Sequence, residues 1–290
     1  AAPAPPAVAR APAPATRARV SPAARRRAQA LGVDADALAG TGADGAVVLA
    51  DVERAAAAQP AHAAKPRGFD PALMRQAIAA AMAKSKREIP HYYLQSTVDF
   101  TAAQAWLDAW NAERDAIDRL LPAVLLLKAA ARALVAVPAL NGFFADGAFR
   151  PGDGVHVGWA VSLRGGGLVA PAVHHADRRT LPELMTALRD LVQRARSGGL
   201  RSSEMTDPTV TVTSLGDRGA ESVLGVIYPP QVALIGFGRI VVRPWVVDGR
   251  IAPRPLVALS LAADHRASDG HLGGQLLAAI DAALQDPASL

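Results

Sequence analysis

The sequence predicts an α/β domain, built on a mixed sheet with helices on one side, that follows a small all-helical module. Strand-like and helix-like patterns mix along residues 68–290 without the strict alternation typical of a parallel sheet. Residues 19–56 contain two short helical patterns and can bury only a small core. Stretches rich in alanine and proline, residues 1–18 and 57–67, indicate linkers before and after this module.

The composition argues against several kinds of chemistry. The 290 residues include no cysteine, which excludes disulfides, thiolate metal ligands and a cysteine nucleophile. The seven histidines lack the spacing of a metal-binding motif, so we expect no metal centre. Aromatic residues make up only 4% of the chain, which is unfavourable for base stacking. The net charge is +5, with six arginines before the first acid, Asp34, and this basic segment predicts an acidic protein partner or a solvated surface rather than nucleic acid.

The sequence also bears on location. Residues 120–140 are strongly apolar, but two prolines, a lysine and an arginine interrupt them, which predicts a buried helix rather than a membrane span. Residues 1–18 lack acids, as transit peptides do, but their prolines prevent the amphipathic helix of such peptides. We expect a cytoplasmic bacterial protein in preference to one of the mitochondrial matrix, with further sequence upstream of residue 1.

The small module begins with residues that are typical of the start and the end of a helix. Ser21 is placed to cap a helix that starts at Pro22, and Gly32 follows the last apolar residue of that helix. A glycine-rich loop and a second short helix follow. The module resembles the peripheral subunit-binding domain of dihydrolipoamide acyltransferases, the core components of 2-oxo acid dehydrogenase complexes. The matching residues are Ser21 to Arg25, Leu31 to Asp34, Gly40-Thr41-Gly42, Gly45 and Asp51-Val52.

This resemblance implies that the module docks a decarboxylase or dihydrolipoamide dehydrogenase subunit through basic side chains. Arg25, Arg26 and Arg27 form a basic helix face and are the predicted partner-binding residues. The family usually has an arginine after the last glycine of its Gly-Thr-Gly-x-x-Gly loop, whereas this chain has Ala46. This departure leaves open which of the two partners docks.

In the large domain, residues 72–89 predict a helix that ends before Pro90, and residues 91–100 predict an alternating strand. Thr101 and Gln104 form a capping-box pattern for the next helix. The predicted apolar face of that helix carries Trp106, Trp110, Ile117 and Leu121. A second capping box at Thr180 and Glu183 starts another helix, which Gly198 ends. Further strands are predicted at residues 156–163, 167–176, 209–219, 231–240 and 255–263.

The stretch from Asp264 to Gly270 lies where the last predicted strand ends and the last helix begins. That helix has its apolar residues four apart, at Leu272, Leu276, Ile280 and Leu284. Either Ser268 or Asp269 can cap its start. A strand end places His265 at a cleft on a fixed scaffold, and histidine suits proton transfer near neutral pH.

The run Asp-His-Arg-Ala-Ser-Asp-Gly resembles the His-Arg-x-x-Asp-Gly signature of the same acyltransferases. It also resembles the His-x-x-x-Asp-Gly motif of chloramphenicol acetyltransferase-like folds. Further matches are Ile78-Ala79, Met82, Ser85-Lys86, Ile89 to Tyr93, Val98-Asp99, Pro138 to Asn141, Val157-Gly158, Ala160-Val161, Thr211 to Gly216 and Pro229 to Gln231. The resemblance therefore implies a chloramphenicol acetyltransferase-like fold for residues 68–290.

The resemblance implies transfer of an acyl group, with acetyl expected, between a dihydrolipoyl thiol and coenzyme A. His265 is the expected general base, and Asp269 supports the site. The family carries a Thr-x-Ser-x-Leu-Gly pattern whose serine stabilises the oxyanion, and alignment on Leu215-Gly216 places Thr213 at that serine. Ser214 is the alternative donor and a candidate for contact with coenzyme A.

The family further implies a homotrimer with sites between chains, in which coenzyme A and the lipoyl arm enter from opposite ends. Its trimers assemble into a larger hollow core. The sequence shows no lipoyl domain, so we expect the lipoyl group on an upstream segment or on another chain.

Two other functions stay open from the sequence. A catalytically inactive scaffold receives mild support from Ala46 and from the missing lipoyl domain, but the intact His265, Asp269 and Thr213 argue against it. A free coenzyme A-dependent acetyltransferase acting on a small alcohol is disfavoured by the docking module. The remaining histidines with candidate structural roles have no acid at an informative spacing, and they are His91, His156, His174 and His175.

Overall fold

The computed structural model describes residues 19–31, 33–58, 71–163, 167–216 and 219–290. The chain divides into two compact units, residues 1–67 and 68–290. The predicted linker at residues 1–18 and the predicted helix end at Gly32 lie outside the described residues.

The first unit contains two helices, α1 (Pro22–Leu31) and α2 (Leu49–Ala58). Helix α1 begins as predicted, because the Ser21 hydroxyl accepts a hydrogen bond from the Ala24 amide at 3.2 Å. Helix α2 extends to Ala58, past the linker start predicted at residue 57, because its last four residues are alanines with high helix propensity. A small core of Ala24, Ala28, Val33, Val47 and Val52 joins the two helices.

The buried carboxylate of Asp51 organises the loop between these helices. It accepts hydrogen bonds from the backbone of Thr41 at 2.9 Å, from the Thr41 hydroxyl at 2.7 Å and from the Val48 amide at 3.1 Å. These bonds, led by that from the Thr41 amide, lower the pKa of Asp51 to about 2. The loop is tight at Gly40, where a Cβ would lie 2.3 Å from the backbone of Ala46.

The second unit is a mixed sheet covered by helices. Its helices are α3 (Pro71–Glu88), α4 (Thr101–Ala112), α5 (Pro122–Ala136), α6 (Leu181–Ser197), α7 (Ser202–Thr206) and α8 (Gly270–Gln285). Its strands are β1 (His91–Asp99), β2 (Gly142–Ala145), β3 (Ala148–Pro151), β4 (Val157–Trp159), β5 (Val161–Ser162), β6 (Leu168–Val169), β7 (Ala172–Val173), β8 (Val210–Ser214), β9 (Ala233–Phe237), β10 (Val241–Val247) and β11 (Arg250–Asp264).

The main sheet has the strand order β1-β11-β9-β8-β4-β7, and β10 also pairs with β11. Strand β8 runs parallel to β4 and β9, whereas the other pairs are antiparallel, so the predicted mixed sheet is confirmed. Helices α4, α5, α6 and α8 contact one another and the sheet. Helix α5 supplies ten buried residues, as expected for the apolar stretch. No helix in the described part of the chain is long and apolar enough to cross a membrane.

The segment after β1 differs from the sequence prediction. Helix α4 ends at Ala112, so Ile117 and Leu121 lie beyond it, with Ile117 77% exposed. The helix ends there because the Asn111 side chain bonds both backbone groups of Leu120, at 2.8 and 2.9 Å, which folds the chain back.

The capping box predicted at the start of α4 is wrong. The Thr101 hydroxyl and amide both donate to the carboxylate of Asp99, and Gln104 instead bonds Asp108 at 2.8 Å. A carboxylate two residues earlier is a stronger acceptor than the glutamine amide that the box would use. The other capping box, between Thr180 and Glu183, is present and starts α6 as predicted.

A hairpin arm, residues 241–255, extends beyond the main sheet. It consists of β10 and the first part of β11, and β1 pairs with β11 only from Leu256 onward. The arm exposes large apolar side chains, with Val242 70%, Val246 64% and Ile251 76% exposed. A two-stranded ribbon is only marginally stable in water on its own, so this surface is suited to contact with another chain.

Three histidines cluster at the edge of the sheet next to β4 and β7. The His156 ring lies 5.1 Å from that of His174 and 4.5 Å from that of His175, in edge-to-face contacts. Asp207 accepts a hydrogen bond from His174 at 2.9 Å, and Asp153 lies 3.2 Å from His156. The spacing of these histidines in the sequence pointed to no acid partner, but the structure supplies two: Asp153 lies three residues before His156, and the fold brings Asp207 to His174 across 33 residues.

Burial, and next the neighbouring His175, lower the pKa of His156 below its ordinary value of 6.5. The nearby Asp153 and Asp207 oppose this shift, and His174 adds to it. Because the unfolded chain binds a proton at higher pH than the folded chain does, this group reduces stability as the pH falls below 6.5. Above pH 6.5, this histidine is neutral in both the folded and the unfolded chain, so its titration no longer reduces stability.

Nδ1 of His156 accepts a hydrogen bond from the His175 amide at 3.1 Å. We predict that His156→Asn reduces the loss of thermal stability between pH 8 and pH 5, because the asparagine oxygen can replace this acceptor and does not titrate. The measurement is the midpoint of thermal unfolding across that range. His271→Asn, at an exposed histidine on α8, is the control and is expected to keep the wild-type pH dependence. Equal acid sensitivity of His156→Asn and the wild type would contradict the prediction.

Candidate active site

His265 lies in a tight turn between β11 and α8. Asp264, the last residue of β11, pairs with His91 on β1, and the His265 amide donates to the Pro90 carbonyl at 3.0 Å. The amides of Ala267 and Ser268 both donate back to the Asp264 carbonyl, at 3.0 and 3.1 Å. The turn is fixed on both sides while the His265 side chain is exposed.

The imidazole of His265 is available for chemistry. Its ring lies edge-to-face against Tyr92, with centroids 5.2 Å apart. Among the described residues, none hydrogen-bonds either ring nitrogen. An incoming group can therefore approach a nitrogen of this histidine without displacing a partner among the described residues.

The two residues that flank His265 in the sequence form an ion pair with each other. The Asp264 carboxylate is fully buried and accepts bonds from the Arg266 backbone amide at 3.0 Å, from Nε at 2.9 Å and from Nη2 at 2.6 Å. The Arg266 guanidinium also lies over the Phe144 ring, 4.1 Å from its centroid. Sequence reasoning missed this pair, although both residues belong to the signature that identified His265.

Asp269 caps α8. Its carboxylate accepts a hydrogen bond from the Leu272 amide at 3.0 Å, and this bond is the main reason that the pKa of Asp269 is lowered. The cap that the sequence left open between Ser268 and Asp269 is therefore Asp269. Ser268 is buried instead, with its hydroxyl 2.9 Å from that of Tyr92.

Thr213 and Ser214 are the last two residues of β8 and are half-buried. Within the described part of the chain, no group bonds either hydroxyl, so both are available as donors. Thr213 pairs with Gly236 on β9, and Gly236 pairs with Ser260 on β11. His265 directly follows the last residue of β11, Asp264, and lies five residues beyond Ser260. With about 3.3 Å per residue and 4.8 Å between strands, Thr213 and His265 are about 20 Å apart in one chain.

The predicted site residues therefore do not form a single cluster. His265 and Asp269 lie in one turn, and Thr213 and Ser214 lie together at the opposite end of the sheet. One chain cannot bring the histidine and the threonine to the same reacting carbonyl. No group of three or more histidine or acidic side chains in the described residues is arranged to hold a metal ion.

The three predicted docking arginines lie on α1 and differ in how far their charges are paired within the chain. Arg25 lies 3.7 Å from Asp36 and Arg27 lies 3.3 Å from Glu53, both in exposed ion pairs. Arg26 is exposed and its Nε donates only weakly to the Pro22 carbonyl, at 3.4 Å. Of the three, Arg26 presents the charge that is least neutralised within its own chain.

Comparison with known proteins identifies both parts of the chain. Residues 70–290 match the family described as 2-oxoacid dehydrogenases acyltransferase (catalytic domain), and residues 18–53 match the e3 binding domain. A dihydrolipoyllysine-residue acetyltransferase component of the pyruvate dehydrogenase complex from Staphylococcus epidermidis is 37% identical over 223 residues. The match covers 74% of this chain and 50% of that protein, so the chain spans about half the length of the curated relatives it matches.

Solved structures agree with the family and sequence matches. A probable dihydrolipoamide acetyltransferase from Listeria monocytogenes has a TM-score of 0.69 and 32% identity, covering 76% of this chain and 93% of that chain. A dihydrolipoamide acetyltransferase from Azotobacter vinelandii has a TM-score of 0.70 and 28% identity, covering 75% of this chain and 90% of that chain. These matches confirm the predicted fold class and the predicted resemblance. The chain belongs to the 2-oxoacid dehydrogenase acyltransferase family, and an E3-binding domain precedes its catalytic domain.

Proposed function

We propose that this chain transfers an acetyl group between a dihydrolipoyl thiol and coenzyme A, as the catalytic core of a 2-oxo acid dehydrogenase complex. The observation that carries the proposal is His265, which is fixed in its turn and has both ring nitrogens free within the described residues. The names of the relatives support the acetyl group, and the family match supports acyl transfer.

In the proposed reaction, His265 removes the proton from the coenzyme A thiol. The thiolate attacks the carbonyl carbon of the acetyl-dihydrolipoyl thioester, and the carbonyl oxygen becomes an oxyanion. When this intermediate collapses, the bond between carbon and the lipoyl sulfur breaks. The imidazolium returns its proton to that sulfur, giving acetyl-coenzyme A and a free dihydrolipoyl thiol, and restores the neutral histidine.

Thr213 is the proposed oxyanion donor. The Azotobacter vinelandii structure was solved to define the roles of one serine, one histidine and one asparagine in catalysis. The serine precedes the histidine there by the same number of residues as Thr213 precedes His265, and the asparagine follows it as Asp269 follows His265. This spacing favours Thr213 over Ser214 as the donor, and it leaves Ser214 as a contact for coenzyme A.

The proposed assembly is a homotrimer, with trimers joined into a larger core. The distance between His265 and Thr213 supports a site completed by a second chain, and the exposed hairpin arm offers an apolar surface for that contact. A relative of known structure is the cubic core of a pyruvate dehydrogenase multienzyme complex, which matches with a TM-score of 0.70 and 28% identity over 79% of this chain and 97% of that chain.

Residues 19–56 are the proposed docking domain for dihydrolipoamide dehydrogenase or the decarboxylase, with Arg25, Arg26 and Arg27 as contacts. The E3-binding match supports this role. The linker predicted at residues 57–67 is proposed to begin after the end of α2 at Ala58 and to lead to the catalytic domain at 68–290. The lipoyl group is supplied by a domain outside residues 1–290 or on another chain, and the proposed location is the bacterial cytoplasm.

We predict that His265→Ala lowers the turnover number roughly 10²- to 10⁴-fold, the usual contribution of a general base. The measurement is acetyl transfer from acetyl-coenzyme A to free dihydrolipoamide. Unchanged turnover in a correctly assembled variant would reject His265 as the base. If the wild-type chain is inactive with acetyl, branched-chain and succinyl thioesters, the scaffold function is favoured.

Thr213→Ala is expected to lower the turnover number roughly 10- to 1000-fold, since it removes one oxyanion donor. Ser214→Ala is the matched control on the same strand and is expected to act mainly on the KM for coenzyme A. A loss of turnover at Thr213 that is no larger than the loss at Ser214 would reject the assignment.

A mixing experiment tests whether the two groups come from different chains. Co-assembly of His265→Ala chains with Thr213→Ala chains in equal amounts should restore up to about one third of wild-type activity, because one of the three interfaces in each mixed trimer then carries both intact groups. The two variants are expressed together with different affinity tags, and mixed oligomers are purified through both tags. Activity no greater than the mean of the two parent variants would show that the groups act within one chain.

Docking is tested at Arg26. Arg26→Ala should weaken binding of purified dihydrolipoamide dehydrogenase at least about fivefold, as expected for an arginine that contributes over 1 kcal/mol to an interface. Arg196→Ala, which removes the same charge from an exposed position of the other unit, is the control. Binding is measured by titration calorimetry, and equal affinity of the two variants would reject this contact.

A further inference from the structure

We propose that Tyr92 is a positioning residue that, together with Ser268, holds the imidazole of His265 in one orientation. This inference rests on the proposed function, in which His265 is the base. Tyr92 touches no reacting group in the proposed mechanism and acts through the histidine.

The strand pairing places the two rings on the same face of the sheet. Tyr92 pairs with Ala263, and the hydrogen bond from the His265 amide to Pro90 continues this pairing past the end of β11. Because side chains two residues apart on a strand share a face, Tyr92 and His265 are diagonal neighbours across the pair. Their centroid distance of 5.2 Å and interplanar angle of 65° are those of a favourable edge-to-face contact.

The Tyr92 hydroxyl ties this ring to the turn itself. It lies 2.9 Å from the hydroxyl of Ser268, which is only 7% exposed and lies three residues after His265. The Ser268 hydroxyl also donates to the Asp264 carbonyl at 3.4 Å, immediately before the histidine. The tyrosine therefore contacts the His265 ring with its own ring and holds the flanking backbone with its hydroxyl.

Helix α8 fixes the tyrosine from another direction. At the buried Gly273, a Cβ would lie 3.0 Å from Cε2 of Tyr92 and 2.7 Å from Cδ1 of Leu94. The absence of a side chain at this position lets the tyrosine ring pack directly against the helix backbone. The Tyr92 ring is thus confined by the helix, by Ser268 and by His265, and this confinement restricts the imidazole in turn.

The hydroxyl is suited to this role rather than to proton transfer. Burial raises the pKa of Tyr92, and the bond to Ser268 opposes the shift. The phenol therefore stays protonated and can donate to Ser268 at neutral pH.

The test is a double-mutant cycle on acetyl transfer between coenzyme A and dihydrolipoamide, with turnover number and KM measured separately. Tyr92→Leu should lower the turnover number about 10- to 100-fold with both KM values within about twofold of wild type, because a misplaced base affects the chemical step and not binding. In the His265→Ala background, the same change should alter the residual rate by less than about twofold, since a residue that acts through the histidine has nothing left to position.

Milder and control variants accompany the cycle. Tyr92→Phe keeps the ring and should recover most of the activity lost in Tyr92→Leu, and Ser268→Ala should match Tyr92→Phe because each removes one half of the hydroxyl pair. Tyr93→Leu is the matched control: Tyr93 is the next residue on β1, 38% exposed, and its hydroxyl bonds Lys86 instead. It is expected to keep the wild-type turnover number within about twofold.

The outcomes separate this inference from the proposed function. If His265→Ala loses activity but Tyr92→Leu does not, the base is retained and the positioning role is rejected. If Tyr92→Leu costs the same factor in both backgrounds, Tyr92 acts independently of His265 and the inference fails. If His265→Ala keeps its activity, the base assignment fails and the positioning role fails with it. If Tyr92→Leu does not assemble, Tyr92→Met, which removes the ring but keeps more of its volume, is measured in both backgrounds and judged by the same criteria.

Discussion

The buried carboxylate of Asp264 is the constraint on which the turn around His265 depends. A fully buried charge without partners costs several kcal/mol, so this group needs the donors that Arg266 provides. The carbonyl of the same residue accepts two amides of the turn. These hydrogen bonds fix the backbone on both sides of His265 and leave its imidazole exposed. In the proposed reaction the base meets two different thiols, which requires this combination of a fixed position and open access.

The sheet that positions His265 also keeps it away from Thr213. Thr213 lies near the end of β8, and His265 directly follows the end of β11 in the same sheet. Because β8 and β11 run in opposite directions, these two strand ends lie at opposite ends of the sheet. The proposed reaction centre uses both groups, so its formation requires association of chains and not only folding of one chain. Under this proposal, activity depends on protein concentration through the assembly equilibrium, in addition to the stability of each chain.

The sequence predicted those features that depend on local patterns. The strand into Asp264, the apolar face of α8 and the capping box at Thr180 all follow from period and spacing within a few residues. The failures arose where distant or competing groups decide the structure. Asp99 outcompeted Gln104 for Thr101, Asn111 ended α4 early, and the fold assembled the histidine cluster from segments separated in sequence. Within the candidate site, the motif located His265, but its contacts with Tyr92 and Ser268 required the pairing of β1 with β11.

The hairpin arm carries prolines at facing positions, since Pro244 pairs with Pro253 and Pro255 follows nearby. Proline has no backbone donor and cannot extend a ladder of strands. The arm can therefore offer its apolar side chains to a neighbour while resisting the addition of another strand along its edges. Contact through side chains demands a specific shape in the partner, whereas edge-to-edge pairing is indifferent to sequence and can continue without end. The prolines thus favour a closed assembly of defined size over an open fibre.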